Sequence, residues 1–222
     1  YSNFSRSNGL YVLNEKLKTI GKIEDLAEGE QIKAARFMGD TGYFVTYRQV
    51  DPLFSVDLSD PENPKILGEL KIPGFSEYLH FYGEDRLLGI GMSTDEESGV
   101  AEGVKITMFD ISDRSDVKEE STLVLDDLYG SHAAYDYKSV LADPEKNVIG
   151  LSGYSQNGES YYLLTYNRTD RKFETILQEE VNGNTSQGIR GIYIEDTLYV
   201  ISGNIIEAYD MNTGVKSGDI IL

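Results

Sequence analysis

The chain has 222 residues, with 38 acidic against 20 basic side chains (net charge −18), 22 glycines, 16 tyrosines and neither cysteine nor tryptophan. A charge of this sign argues against sequence-independent nucleic-acid binding and against attraction to anionic lipid, which both need surface Lys and Arg, and the lack of cysteine removes thiol catalysis and thiolate metal sites. The length fits one large domain, which buries on the order of 70% of its unfolded surface and needs no disulfide.

No apolar run reaches the roughly 18 residues of a membrane helix, so membrane insertion is not expected. Tyr1 opens the chain without methionine or signal peptide, and the sequence reads as a piece of something longer. In chain order, Leu10 to about Asp25 reads as two strands. The stretch Ile23 to Ala35 has some helical character but carries Gly29 in its middle, and it is read as a loop leading into the next strand. Beyond it, runs such as Tyr43 to Tyr47, Lys105 to Phe109 and Leu198 to Ile201 are aromatic and β-branched, as strands are. Gly39-Asp40-Thr41-Gly42, Asp60-Pro61-Glu62-Asn63-Pro64 and Asn182-Gly183-Asn184 supply the turns between.

Two repeating series run through these strands. In the first, a turn residue precedes an apolar strand at Asp40, Asp85, Asn147 and Asp196, with strand anchors Gly42, Leu87, Val148 and Leu198 spaced 45, 61 and 50 apart. In the second, a strand ends on Asn14, Asp57, Asp110, Asn167 and Asp210, stepping by 43, 53, 57 and 43. Interleaved series at this period mean one supersecondary unit of about four strands repeated along the chain, as in propeller blades. The expected fold is an all-β propeller of four-stranded antiparallel blades: a two-stranded partial blade over 1–26 and full blades over 27–74, 75–128, 129–182 and 183–222. An array of this kind that does not close leaves two apolar end faces, so self-association through open blade edges, or further sequence upstream, is expected.

Several strings resemble a known family. Arg36-Phe37-Met38-Gly39-Asp40, the stretch Gln49 to Pro64 with Ser55-Val56-Asp57-Leu58-Ser59-Asp60-Pro61, and Ile72-Pro73-Gly74-Phe75-Ser76-Glu77-Tyr78-Leu79-His80 resemble secreted bacterial and archaeal proteins with a C-terminal β-propeller distantly related to WD-40 repeats. Leu87 to Gly91, Phe109 to Asp113 and Ile189 to Ile194 continue the resemblance over nearly the whole chain. It implies a propeller fold and an extracellular or cell-surface address. It supplies no activity or substrate, and the family's domain is longer than this chain.

Candidate functional residues come from chemistry alone. His80 and His132 are the two histidines, each placed near the start of an innermost strand and so beside a channel; Tyr78 and Tyr135 accompany them as candidate ligand contacts, with Tyr82, Tyr137 and Tyr154 nearby. A Gly-x-Ser-x-Gly elbow is missing, since Gly150-Leu151-Ser152-Gly153 lacks the final glycine, which speaks against a serine hydrolase. Glu77, Glu84 and Asp136 are the carboxylates that a channel glycosidase could use. Asp110, Asp113 and Asp116 share one turn and would suit calcium, as would Asp95, Glu96, Glu97 and Glu102, although neither stretch matches the twelve-residue calcium loop. For the first, an Asx-type turn is the plainer explanation. Asn3, Asn167 and Asn184 fit the glycosylation pattern, incidentally so in a prokaryote.

The reading that follows is a non-catalytic extracellular or cell-surface binding and scaffold module whose partner is a protein or a polysaccharide. Its alternatives are a carbohydrate-active hydrolase with channel carboxylates and a calcium-stabilised structural domain.

Overall fold

The computed structural model describes residues 7–47, 51–95, 97–182 and 188–222, and the chain is an open β-propeller segment. The half blade is β1 (Asn8–Leu13) and β2 (Thr19–Leu26). Blade 1 comprises β3 (Gln31–Met38), β4 (Thr41–Tyr47), β5 (Asp51–Asp57) and β6 (Lys65–Ile72). Blade 2 comprises β7 (Phe75–Phe81), β8 (Arg86–Thr94), β9 (Ala101–Asp110) and β10 (Lys118–Leu125). In blade 3 the first strand is broken into β11 (Gly130–Ser131) and β12 (Leu141–Asp143), which both pair with β13 (Val148–Ser155), followed by β14 (Gly158–Asn167) and β15 (Lys172–Glu180). Blade 4 is β16 (Ile189–Ile194), β17 (Thr197–Ser202), β18 (Ile205–Asp210) and β19 (Lys216–Ile221). Each sheet is an antiparallel meander in chain order.

The hydrophobic core lies between blades. Successive side chains of a strand point to opposite faces, and the middle strands are apolar on both. Leu87 and Phe109 pack with Tyr43, Val45 and Leu53 of blade 1, whereas their neighbours Leu88 and Met108 pack with Ile149, Leu151 and Tyr162 of blade 3. Likewise Tyr161 and Leu163 meet Leu198, Val200 and Tyr209 of blade 4, while Tyr162 and Leu164 turn back toward blade 2. Leu10 and Leu26 of the half blade close on Phe44, Phe54 and Val56. Strands buried on both faces read as continuous apolar runs, which is why the sequence shows little alternation there.

Tyr161 shows how closely the blades approach. Its ring crosses its own blade to the neighbouring one, and its hydroxyl lies 2.2 Å from where a Cβ at Gly150 would stand and 1.8 Å from one at Gly191. Both positions require glycine, and the enclosed hydroxyl has no hydrogen-bond partner. Other tyrosines tie neighbouring blades by their hydroxyls: Tyr82 donates to Asn147 (3.1 Å), Tyr166 to Glu120 (2.7 Å) and Tyr193 to Asp143 (2.5 Å).

The second repeating series has one local cause. Side-chain oxygens of Asn14, Asp57, Asp110, Asn167 and Asp210 accept the backbone N–H two residues on, from Lys16, Ser59, Ser112, Thr169 and Asn212, at 2.8–3.0 Å. These are Asx turns, and each stands at or just after the end of the third strand of its blade, β1 of the half blade being such a strand. The first series meets the second through the backbone, because Leu58, Ile111 and Met211 donate to the carbonyls of Asp40, Asp85 and Asp196.

Two expectations change. Ile23 to Ala35 is not a loop: Ile23–Leu26 completes β2, Gln31–Ala35 belongs to β3, and only Ala27 to Glu30 turns. Gly29 at φ 81°, with Asp25 and Ala27 also at positive φ, makes that reversal tight enough to leave the flanking residues in strands. Nor is every inner strand regular, as blade 3 shows.

The far face of blade 4 carries Ile192, Tyr199 and Ala208 in one cross-strand row and Ile201, Ile206 and Ile220 in the next. Tyr199 and Ile201 occupy the places of Tyr43 and Val45 in blade 1 and of Leu88 and Ile90 in blade 2, which are buried against the following blade. Here Ile192 and Ile220 are exposed.

If cohesion resides between blades, Phe109→Ala should destabilise the chain by about 3–5 kcal/mol in urea unfolding, whereas Ile192→Ala, on the uncovered face, should change it by less than about 0.5 kcal/mol.

Candidate functional site at the inner edge

The first strands of the blades form the inner edge of the array, and the histidines fall there at two separate places. Tyr78 and His80, two residues apart on β7, share a face and stack with ring centroids 6.0 Å apart. The Tyr78 hydroxyl lies 2.9 Å from His80 Nδ1, and Arg36 Nη2 on β3 lies 3.5 Å from the same nitrogen. A guanidinium only donates, so Nδ1 accepts and the ring proton sits on Nε2. Burial first, and then the Arg36 charge, hold the His80 pKa below its ordinary value; burial raises that of Tyr78. His80 is the penultimate residue of β7, so it stands near that strand's end and not its start.

His132 is not in a strand at all. After two residues of β11 the chain makes 3-10 turns at His132–Ala134 and Tyr137–Ser139, because the Ser131 and Asp136 side chains accept the N–H groups of Ala133 and Lys138 and so compete with sheet pairing. The imidazole is buried against blade 3. Its Nδ1 lies 3.0 Å from Ser152 Oγ, and its Nε2 lies 3.3 Å from Glu159 Oε2 without the alignment of a hydrogen bond. Tyr135 and Tyr154 meet the ring edge-on, with centroids at 5.5 and 5.9 Å. Burial, then Tyr154, Glu159 and Asp136, push the Tyr135 phenol up.

Ser152, His132 and Glu159 thus make the serine, histidine and carboxylate chain that sequence reasoning did not find, 20 and 27 residues of separation having hidden it. It is no nucleophile relay, since Ser152 is 0% exposed and a substrate cannot reach its hydroxyl. What does face solvent is aromatic: Tyr129 is 61%, Tyr135 69%, Tyr137 67% and Tyr154 39% exposed, all on or beside this broken strand and its neighbour β13. Tyr82 in contrast is fully buried between blades 2 and 3.

The other carboxylates are placed as follows. Glu77 lies early on β7, its pKa raised by burial against the opposing pull of Lys33, while exposed Glu84 lies in the turn beyond that strand's other end. At about 3.3 Å per residue the strand alone separates them by more than ~10 Å, outside the 5–9.5 Å range of paired glycosidase carboxylates. Asp136 caps the second 3-10 turn. Asp113 accepts from the N–H and hydroxyl of Ser115, and Asp116 pairs with Lys118 at 2.8 Å. Asp110 fills the Asx-turn role that uncharged Asn14 and Asn167 fill elsewhere, so that turn does not need its charge. Asp95 accepts from Ser98, and Glu102 from Ser93 (3.2 Å), beside a cleft of about 440 Å³ that Glu97 also lines; Glu96 lies outside the described residues. Among the described residues no three His, Asp or Glu groups are grouped to hold a metal ion. Of the three glycosylation-type asparagines, Asn167 holds its Asx turn, and Asn3 and Asn184 lie outside the described residues.

A family model described as a beta propeller domain matches residues 1–214. An uncharacterized protein of Archaeoglobus fulgidus is 43% identical over 215 residues, covering 97% of this chain and 32% of that protein. An uncharacterized protein of Methanocaldococcus jannaschii is 36% identical over 206 residues, with 93% and 30% covered. The chain therefore spans about a third of the length of the curated relatives it matches. Among solved structures, Saccharomyces cerevisiae Sqt1 superposes with a TM-score of 0.59 at 14% identity, over 86% of this chain and 48% of that one. Putative 6-phosphogluconolactonases of Bacteroides uniformis and Bacteroides fragilis each give 0.58, at 14% and 13% identity, over 87% and 97% of this chain and 56% and 65% of theirs. At these identities the likeness is one of fold alone.

Two outcomes follow from this geometry. A histidine whose folded pKa is depressed adds stability that is complete above its unfolded value, about 6.5, and is lost as pH falls through the lower folded value. Between pH 7 and pH 5 the urea midpoint of the native chain should therefore fall relative to that of His80→Gln, which lacks this term. For the loop at Asp110, Asp110→Asn should leave stability within about 0.5 kcal/mol, and the thermal midpoint should be the same in calcium as in chelator.

Proposed function

Because the chain belongs to the beta propeller domain family, we propose that it is a non-catalytic binding and scaffold segment of a secreted or cell-surface protein, and that it engages a partner protein or a surface polysaccharide along the inner edge of blade 3. The extracellular address, and a distant kinship to WD-40 repeats, rest on the resemblance carried by the strings around Asp57-Leu58-Ser59-Asp60-Pro61 and Ile72-Pro73-Gly74-Phe75. The observation that carries the binding reading is the tyrosine group on the one inner strand that is not a strand. Tyr43, Tyr82, Tyr161 and Tyr162 are buried between blades, and Tyr11 and Phe37 are exposed singly on other blades. At the break, Tyr129, Tyr135 and Tyr137 stand largely in solvent, Tyr135 resting one edge on His132, and there tyrosine makes broad contact area with a polar tip.

The rigid array suits such display. Binding residues gain from a scaffold that holds irregular segments in place, and the blade interfaces on both sides of blade 3 supply that rigidity. The test is Tyr135→Ala with Tyr137→Ala, against a panel of purified extracellular proteins and cell-surface polysaccharides by biolayer interferometry. The native chain should bind a member of the panel, and the double variant should weaken that binding by about tenfold or more, with its unfolding free energy within about 0.5 kcal/mol of native. Full retention of binding in the double variant, or no binding by the native chain to any member, would overturn the reading.

A further inference from the structure

Each blade has a near face, turned toward the preceding blade, and a far face, turned toward the following one. On the third strands, the residue just before the Asx position lies on the near face. Val56, Phe109, Tyr166 and Tyr209 stand there, each 2% exposed or less, packed in turn against the half blade and blades 1, 2 and 3. Three residues earlier, a cross-strand pair joins third to fourth strand on the far face. Leu10–Ile23, Leu53–Leu70, Ile106–Leu123 and Leu163–Leu177 are these pairs, and each packs into the seam with the next blade. At the two ends of the array, one half of this seam is present without the other. On the half blade, Leu13 holds the near-face position and is 50% exposed, with Tyr11 on the same face 55% exposed. On blade 4 the far-face pair is Ile206–Ile220, beside Ala208–Gly218, and Ile220 is 53% exposed.

The two uncovered faces are the two sides of a contact that the chain already makes four times. They also match in extent. The half blade consists of a third and a fourth strand, and Ile206, Ala208 and Ile220 lie on the third and fourth strands of blade 4. The seam between the half blade and blade 1 shows that two strands suffice as one side of such a contact, since Leu10 and Leu26 close on Phe54 and Val56. Neither face brings an unpaired charge into it. Lys22, opposite Tyr11 on β2, is held by Glu24 (2.6 Å), and the Ile206–Ile220 and Ala208–Gly218 rows hold no charged residue. We propose that the chain associates head to tail, the half blade of one copy seating on the far face of blade 4 of a second copy. Such a contact is heterologous: it uses different surfaces on the two copies, leaves one of each free, and so propagates. The net charge of −18 on each copy opposes it. Salt screens that repulsion, over about 8 Å at 0.15 M and less at higher strength, and so favours it. The inner edge of blade 3 takes no part, so this inference and the binding reading stand or fall separately.

The experiment is sedimentation velocity of the whole chain at rising concentration, in about 0.15 M and about 0.5 M salt. The native chain should form dimers and longer species, more of them at the higher salt, with a dissociation constant on the order of 10–100 µM for so small an interface. Leu13→Asp and Ile220→Asp should each weaken association by about tenfold or more. Mixed in equal amounts, the two variants should recover a dimer and nothing larger, because the first keeps a sound blade 4 and the second a sound half blade. That recovery also shows that both variants are folded. A native chain that sediments as a monomer throughout would overturn the proposal, as would two variants of native circular dichroism that stay apart when mixed. Loss of association in Ile220→Asp but not in Leu13→Asp would mean that blade 4 meets blade 4, and the head-to-tail contact falls. Association that survives both substitutions would trace to the edge of β1, which among the described residues pairs with β2 alone, and it too would overturn the proposal.

Discussion

Everything in this structure depends on blades packing face to face. A four-stranded sheet with apolar side chains on both faces cannot be stable alone, and blade 2 is completed by its neighbours on both sides: Phe109 and Leu87 lean one way, Met108 and Leu88 the other. Removing one blade would expose the apolar face of the next, so stability is a property of neighbouring pairs. The same requirement explains the crossing hydroxyls of Tyr82, Tyr166 and Tyr193, which fix the angle between sheets with hydrogen bonds at the otherwise apolar seams. It also accounts for Gly150 and Gly191, which leave the space occupied by the Tyr161 hydroxyl.

Between these seams the inner edge is free to vary, and it does so in blade 3. Ser131 and Asp136 draw the backbone into two tight turns, and the strand pairing that β3 and β7 keep is lost for nine residues between β11 and β12. The fold tolerates this because β13 and β14 still present Ile149, Leu151, Leu163 and Leu164 to the flanking blades. A local departure from the repeat thus carries little cost in cohesion, and it releases tyrosines from packing into solvent. Repeat proteins in general can place irregular, contact-making segments on a rigid core in this way.

Electrostatics divides along the same line. The acidic residues at blade turns, Asp57, Asp110 and Asp210, are held below the ordinary carboxylate range first by side-chain hydrogen bonds from Ser59, Ser112 and Thr213, and they belong to local turn geometry. Glu120, almost enclosed, is lowered chiefly by Arg86 and also by the Tyr166 hydroxyl, so its charge serves the seam between blades 2 and 3. Glu159 belongs to neither class, because its neighbours are a histidine and tyrosines at the solvent edge.

The sequence by itself determined the repeat, the strands and the turns. These follow from interactions between residues close in the chain: an Asn or Asp side chain bonding two residues ahead, a glycine reversing direction, and β-branched and aromatic runs favouring extended backbone. The regular recurrence of those local signals, Asn14 through Asp210, was enough to give four blades and a half; it misled where a tight reversal at Ala27 to Glu30 looked like a longer loop, and where His80 and His132 were expected near the starts of inner strands. What tertiary structure alone decided is which side chains meet. His132 and its partners Ser152 and Glu159 are distant in sequence, and no periodic signal connects them; they come together because β11, β13 and β14 lie side by side. For the same reason the sequence could count the tyrosines but could not sort them. Tyr82 and Tyr135 have the same chemistry, and only the packing of one blade on another buries the first and leaves the second in solvent.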